Sequence, residues 1–145
     1  AKEDTTKIDL LVLFNSTKNE FNNEKLIISQ KNSIELIGRY TALKRSFENV
    51  IQNGLIYGNK VFVNFQKGNN RVSIEIEDDG PGIPEEQFKN VFKPFFRLDK
   101  SRSLNKSGVG LGLAIVEDII NSHGGHIQLS RSRHNGLLVK ISLPF

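Results

Sequence analysis

A two-layer α/β sandwich, with a mixed, mostly antiparallel sheet covered by helices on one face, is the fold class this sequence predicts. Two observations lead there. Apolar residues recur at helical spacing in some segments and at every second position in others, in the order helix, hairpin, helix, hairpin, loop, helix, hairpin. The composition, 145 residues with 37% hydrophobic and 25% charged, suits one globular domain with an aliphatic and phenylalanine-rich core.

Taking the segments in order, residues 7–21 place Ile8, Leu11, Val12 and Phe14 at near-helical spacing and predict an amphipathic helix. The stretches NNEKLIISQ and NSIELIGRY alternate like two short strands, and Lys31-Asn32 reads as the turn of a hairpin between them. Residues 42–57 return to helical period, with Leu43, Phe47, Val50, Ile51 and Leu55 on the apolar face. Thr41 is the expected N-cap and Gly58 the expected left-handed C-cap. KVFVNFQ and RVSIEIED alternate strictly around KGNN and predict a second hairpin. That hairpin runs into the turn-forming cluster DDGPGIP, after which residues 84–92 are expected to form a short helix with Pro84 in its first turn. Residues 97–108 are polar and mostly basic, and predict a mobile loop. Residues 109–123 are helical in period and stop at Gly124-Gly125, and two strands around an HNG turn close the chain.

Several function classes are excluded early. With no cysteine there is no disulfide, thiolate zinc site or cysteine nucleophile. No run of about 18 apolar residues exists to span a bilayer, and no signal peptide is visible. The net charge of +4 permits a polyanion partner. No Lys/Arg block interleaved with aromatics accompanies it, so nucleic acid is not an expected partner. The chain begins at Ala1 and contains no Met, and is expected to be a fragment of a longer protein.

Four short segments carry chemistry. Asn49 and Asn53 lie one helical turn apart on one face; they suit a ligand or a hydrated hard cation, or equally a structural role bridging neighbouring strands. Asp78 ends an apolar strand just before Gly80 and Gly82. An acceptor-only carboxylate there can take a hydrogen bond from an exocyclic amine, with glycines letting backbone approach a flat ring, or can simply form an Asp-Gly turn. Phe92-Lys93-Pro94-Phe95 is a packing segment with a Pro stop. Gly108-Val109-Gly110-Leu111-Gly112-Leu113 opens a helix, where exposed backbone N–H groups cradle phosphate.

In this order and spacing the four segments resemble the N, G1, F and G2 boxes of the histidine kinase catalytic domain, of the ATPase superfamily shared with gyrase, Hsp90 and MutL. The resemblance runs from about Leu43 to Phe145, and EDDGPGIP, FKPFFRLD and GLGLAIVEDII are similar to the EnvZ-type kinases. It implies a Bergerat fold that binds ATP and Mg²⁺. Asn53 matches the residue that coordinates Mg²⁺, and Asn49 the position one turn earlier near the phosphates. Tyr57 matches the aromatic on the adenine and Asp78 the acceptor from its N6 amine, with Gly80, Gly82 and Ile83 completing the pocket. Phe92 and Phe95 match the aromatics that position the lid, residues 97–108, from which Arg97 and Lys106 are placed to meet phosphate. Gly108, Val109, Gly110, Leu111 and Gly112 match the phosphate loop. Two departures stand out: Ile56 occupies a position often basic, and Gly54 replaces a better helix former at about 1 kcal/mol of propensity.

The implied activity is transfer of the ATP γ-phosphate to a histidine on a separate dimerisation and phosphoacceptor domain of the same kinase, for relay to the receiver domain of a response regulator. None of His123, His126 and His134 has the family's acceptor context, so that domain is expected upstream of this single domain, residues 1–145. The resemblance further implies the cytoplasmic part of an inner-membrane sensor. The competing readings are a catalytically impaired nucleotide-binding regulatory module, kept open by Gly54 and Ile56, and another ATPase of the superfamily.

Overall fold

The computed structural model describes residues 3–21, 24–94 and 112–145. Its elements are β1 (Thr6–Asp9), α1 (Leu10–Phe21), β2 (Leu26–Ile28), β3 (Glu35–Gly38), α2 (Tyr40–Tyr57), β4 (Val61–Lys67), β5 (Arg71–Asp78), α3 (Leu113–Ser122), β6 (His126–Arg131) and β7 (Leu137–Pro144). Five strands form the main sheet in the order β2-β4-β5-β7-β6, and β1 pairs with β3 in a separate two-stranded sheet. Among the described residues only the β2–β4 contact is parallel; the other strand pairs are antiparallel. The fold class predicted from the sequence is the one observed.

Strand alternation puts the apolar residues on one face. Val61, Val63 and Phe65 of β4, Val72, Ile74 and Ile76 of β5, and Val139, Ile141 and Leu143 of β7 are all buried, and their registers place them side by side. Leu43, Phe47, Val50 and Ile51 of α2, with Leu113, Val116 and Ile120 of α3, supply the opposing layer. Phe14 of α1 lies 5.0 Å from the Phe47 ring and 5.9 Å from Phe65, tying α1, α2 and the sheet at one point. The facing side of the sheet carries Asn64, Gln66, Ser73, Glu75 and Lys140, as strict alternation requires.

Five local expectations are corrected. The first helix starts at Leu10, because Thr6–Asp9 form a strand that buries Ile8 against β3. Asp9 caps it, its Oδ1 accepting the Val12 N–H at 3.0 Å. The Lys31-Asn32 hairpin does not form: β2 pairs with β4 and β3 with β1. Residues 29–34 carry the chain from one sheet to the other; alternation shows that a segment is a strand but not which partner it takes. Thr41 is not the N-cap of α2. Arg39 holds that position without a side-chain capping bond, and the Glu3 carboxylate accepts the Thr41 and Ala42 N–H groups instead, at 2.8 and 3.1 Å. Gly58 is extended, not left-handed; it is needed because a Cβ there would sit 2.9 Å from Asp79 Oδ1 and from the Gly80 nitrogen. Residues 84–92 form two 3₁₀ turns, Glu85–Gln87 and Asn90–Phe92, with Pro84 just ahead of the first.

The helix stop at Gly124 is as expected, with φ +76°, and Asn135 of the HNG turn is also left-handed at φ 76°. The helix expected from Val109 is described from Leu113. The lid expected at 97–108 lies outside the described residues.

Candidate functional site

A pocket opens between the last turns of α2, the end of β5, the segment 81–83, the start of α3 and β7. Val50, Val61, Ile76, Leu113 and Val139 give it apolar walls, and Tyr57, Ile83 and Leu137 also line it. Asp78 adds a carboxylate to this lining. The strand positions it: β5 alternates buried residues to Ile76, and Asp78 is the last residue before the chain leaves the sheet.

Asp78 is half-buried, and burial pushes its carboxyl above the ordinary carboxylate range. The Gly80 and Leu137 N–H groups, donating to Oδ1 at 2.8 and 3.3 Å, act in the opposite direction. Among the described residues no donor reaches Oδ2. One oxygen is therefore oriented by the fold while the other remains an acceptor on a residue that lines an apolar pocket.

Glycines let the backbone close around this carboxylate. A Cβ on Gly54 would meet Val61 Cγ2 at 2.6 Å and Asp78 Cβ at 3.2 Å, so α2 approaches β4 and β5 only because residue 54 has no side chain. The glycine that departs from the family's usual sequence is thus a packing requirement here. On the other side a Cβ on Gly136 would fall 2.1 Å from Asp78 Oδ1. Gly80 and Gly82 lie on the loop beyond, Gly82 with φ +75°.

Asn49 and Asn53 share a face of α2 as their spacing predicts, and Asn53 Nδ2 donates to Asn49 Oδ1 at 3.2 Å. Asn53 lines the pocket. Asn49 reaches Gly112, where a Cβ would stand 2.8 Å from Asn49 Nδ2. This brings the Asn pair beside the start of α3, where Gly112 has φ +66°. Phe92 packs on the core.

The structure therefore gathers Asn53, Tyr57, Asp78, Gly82 and Ile83 in one cavity, with Asn49, Gly80 and Gly112 adjoining. Phe95, Arg97, Lys106, Gly108, Val109, Gly110 and Leu111 lie outside the described residues. Sequence reasoning missed Gly136 and Leu137, whose only signal was the HNG turn, and the apolar wall from Val61, Ile76 and Val139. Two of the three histidines are engaged in the fold. His123 bonds the Ile119 carbonyl through Nδ1 and accepts the Arg39 N–H at Nε2, and His134 stacks on Phe62 at 3.9 Å.

An acceptor in a pocket walled by aliphatic side chains suits a flat heterocycle bearing an amino group. Comparison with known proteins gives the family. Residues 38–145 match the family described as histidine kinase-, DNA gyrase B-, and HSP90-like ATPase. Over 107 residues, 74% of this chain, the sequence is 39% identical to the sensor histidine kinase GtrS of Pseudomonas aeruginosa. Over 110 residues, 75% of the chain, it is 39% identical to the sensor histidine kinase CpxA of Escherichia coli K12. The matches span 22% and 24% of those two proteins. The solved histidine kinase domain of the E. coli osmosensor EnvZ superposes with a TM-score of 0.74 at 33% identity, over 99% of this chain and 91% of that one. The catalytic domain of histidine kinase ThkA superposes with a TM-score of 0.82 at 25% identity, over 97% and 95%. The chain belongs to the histidine kinase-, DNA gyrase B- and HSP90-like ATPase family, as an ATP-binding catalytic domain of the sensor histidine kinase kind.

Proposed function

We propose that this domain presents the ATP γ-phosphate to a histidine on a separate dimerisation and phosphoacceptor domain of the same kinase, for relay to the receiver domain of a response regulator. The observation that carries the reading is Asp78: a half-buried carboxylate with Oδ1 held by two backbone amides and Oδ2 left as an acceptor in an apolar pocket.

In this reading Oδ2 of Asp78 accepts from the adenine N6 amine. Tyr57, Gly80, Gly82 and Ile83 enclose the base. Asn49 and Asn53 stand beside the phosphates, with Gly112 at the end of the loop that would cradle them. Arg97, Lys106 and the run from Gly108 to Leu111, with Phe95 setting the lid, are assigned by sequence alone.

Mg²⁺ fits the donor set. It favours octahedral oxygen ligation with few protein ligands, completed by phosphates and water. The Asn53 carboxamide offers one such oxygen, and the described residues hold no cluster of three or more His, Cys, Asp or Glu that would make an all-protein cage. When bound beside the triphosphate, the ion would neutralise phosphate charge. The chain's own contribution is orientation and exclusion of water. Phosphoryl transfer requires little covalent chemistry from the protein, and accurate placement supplies most of the catalysis.

The acceptor histidine is assigned elsewhere because none of His123, His126 and His134 has the family's acceptor context, and His123 already uses both ring nitrogens in the fold. Among the described residues no helix is long and apolar enough to cross a membrane. Placement as the cytoplasmic part of a membrane sensor rests on the relatives.

The test is calorimetric titration of Mg²⁺-ATP, with GTP as control, into the wild type and Asp78→Asn. The reading requires ATP binding without GTP binding, strengthened by Mg²⁺ and lost in Asp78→Asn. A folded wild type that binds no adenine nucleotide would overturn it. Autophosphorylation of the domain in the absence of an added acceptor helix would overturn the assignment of the acceptor.

A further inference from the structure

Glu77 is a charged side chain that the nucleotide reading does not use, yet it is buried, at 3% exposure. Strand alternation points it to the side of β5 opposite Asp78, and a carboxylate removed from water is costly unless it is paired. Its partners come from one turn, the connection between β6 and β7. Ser132 Oγ donates to Glu77 Oε1 at 2.7 Å, and the Arg133 guanidinium lies 3.2 Å from Oε2. Arg133 is 71% exposed, so its ion pair is screened and the buried Ser132 bond is the stronger link.

Ser132 is also the hub of the turn. Its hydroxyl oxygen accepts the His134 N–H at 2.9 Å, its own N–H donates to the Gly136 carbonyl at 2.8 Å, and its carbonyl accepts the Asn135 N–H at 3.0 Å. The same turn delivers Gly136 and Leu137 to the other side of β5. There the Leu137 N–H bonds Asp78 Oδ1, and the Gly136 backbone is so close that a Cβ would overlap that oxygen. The turn thus brackets the end of β5, gripping Glu77 on one side and Asp78 on the other.

We infer that Glu77 and Ser132 are positioning residues for base recognition: they hold the β6–β7 turn so that Leu137 and Gly136 fix the Asp78 carboxylate in the orientation that selects a 6-amino purine. This rests on the reading of Asp78 as the adenine acceptor. A carboxylate fixed at one oxygen presents the other in a single direction, and discrimination between an amino and a keto group depends on that direction.

The experiment measures ATP and inosine triphosphate binding by calorimetry for the wild type, Glu77→Ala, Glu77→Gln and Ser132→Ala. All titrations are run well below each variant's melting midpoint. The two nucleotides share sugar and phosphates and differ at purine position 6. The two alanine variants are expected to bind ATP about tenfold more weakly while inosine triphosphate affinity moves by less than about twofold, so the preference shrinks. Glu77→Gln retains an oxygen for the Ser132 hydroxyl and is expected to keep most of the preference. If Glu77→Ala does not fold, Ser132→Ala carries the test. Lower melting midpoints with an unchanged ATP preference would mean a merely structural role and overturn the inference. A wild type with no preference for ATP would overturn the adenine reading, and this inference with it.

Discussion

Asp78 occupies a position that costs it solvation, and the cost predicts how it behaves without nucleotide. Its folded-state carboxyl is raised, so the folded protein holds that proton more tightly than the unfolded chain. The sign follows: in this window, above the ordinary carboxylate value, the Asp78 contribution falls as pH rises and is recovered as pH drops through the folded value. Asp78→Asn keeps an oxygen for the Gly80 and Leu137 N–H groups and removes the charge. Its melting midpoint at neutral pH, by calorimetric scan, is expected to equal or exceed that of the wild type, with the difference shrinking on acidification; ATP binding is lost. A midpoint well below wild type would show the carboxylate to be a structural necessity instead. Gly54 supplies the complementary case. Gly54→Ala gains about 1 kcal/mol of helix propensity. It also places a methyl 2.6 Å from Val61 Cγ2, and overpacking of that kind costs about 1–3 kcal/mol. Urea denaturation is expected to show net destabilisation, relieved when Val61→Ala is added, and a midpoint above wild type for the single variant would contradict the packing.

At the scale of elements, the ends of helices reveal interactions that periodicity does not. Asp9 begins α1 by accepting the Val12 N–H and a hydrogen bond from the Ser33 hydroxyl, and these bonds, the Ser33 one foremost, hold its carboxyl below the ordinary range. Asp9→Ala is expected to cost about 1 kcal/mol, the usual worth of an N-cap, read from the shift in denaturation midpoint. A depressed folded-state carboxyl contributes stability above its unfolded value, and that contribution is lost as pH falls through the folded value. The gap between wild type and Asp9→Ala should therefore close in acid because the wild type loses stability there, whereas at half-buried Asp78 it closes because the wild type regains it. Asp79 works the same way at the α2–β4 connection, where it accepts the Lys60 and Asn59 N–H groups. The carboxylate of Glu3, a residue distant in sequence, meets the first N–H groups of α2 where Thr41 was expected to cap it. Local sequence marks where a helix starts; which side chain satisfies its free N–H groups depends on what the fold brings near.

For the whole molecule, the cluster of Phe14, Phe47 and Phe65 joins α1, α2 and β4 with all three side chains buried. Phe14→Ala is expected to cost about 3–5 kcal/mol, a large part of the roughly 5–15 kcal/mol that holds a domain of this kind together. Loss of the cooperative urea transition, or a large drop in its midpoint, is the expected result. A shift of under about 1 kcal/mol would mean that α1 contributes little to the core.

The helical faces of α2 and α3, the β4–β5 and β6–β7 hairpins, the turns at Asn135 and Gly124, and the meeting of Asn53 and Asp78 beside Gly82 in one pocket were legible in the sequence. Each depends on residues a few positions apart, or on a family pattern carried in short segments. It took the folded chain to show that β2 and β3 part to different sheets, that Gly54 is required by contact with Val61, and that one turn meets Glu77 through Ser132 and Asp78 through Gly136 and Leu137. Those outcomes depend on which distant segments meet. Such meetings are settled by burial of the whole apolar face and by satisfying buried polar groups, which no local spacing encodes.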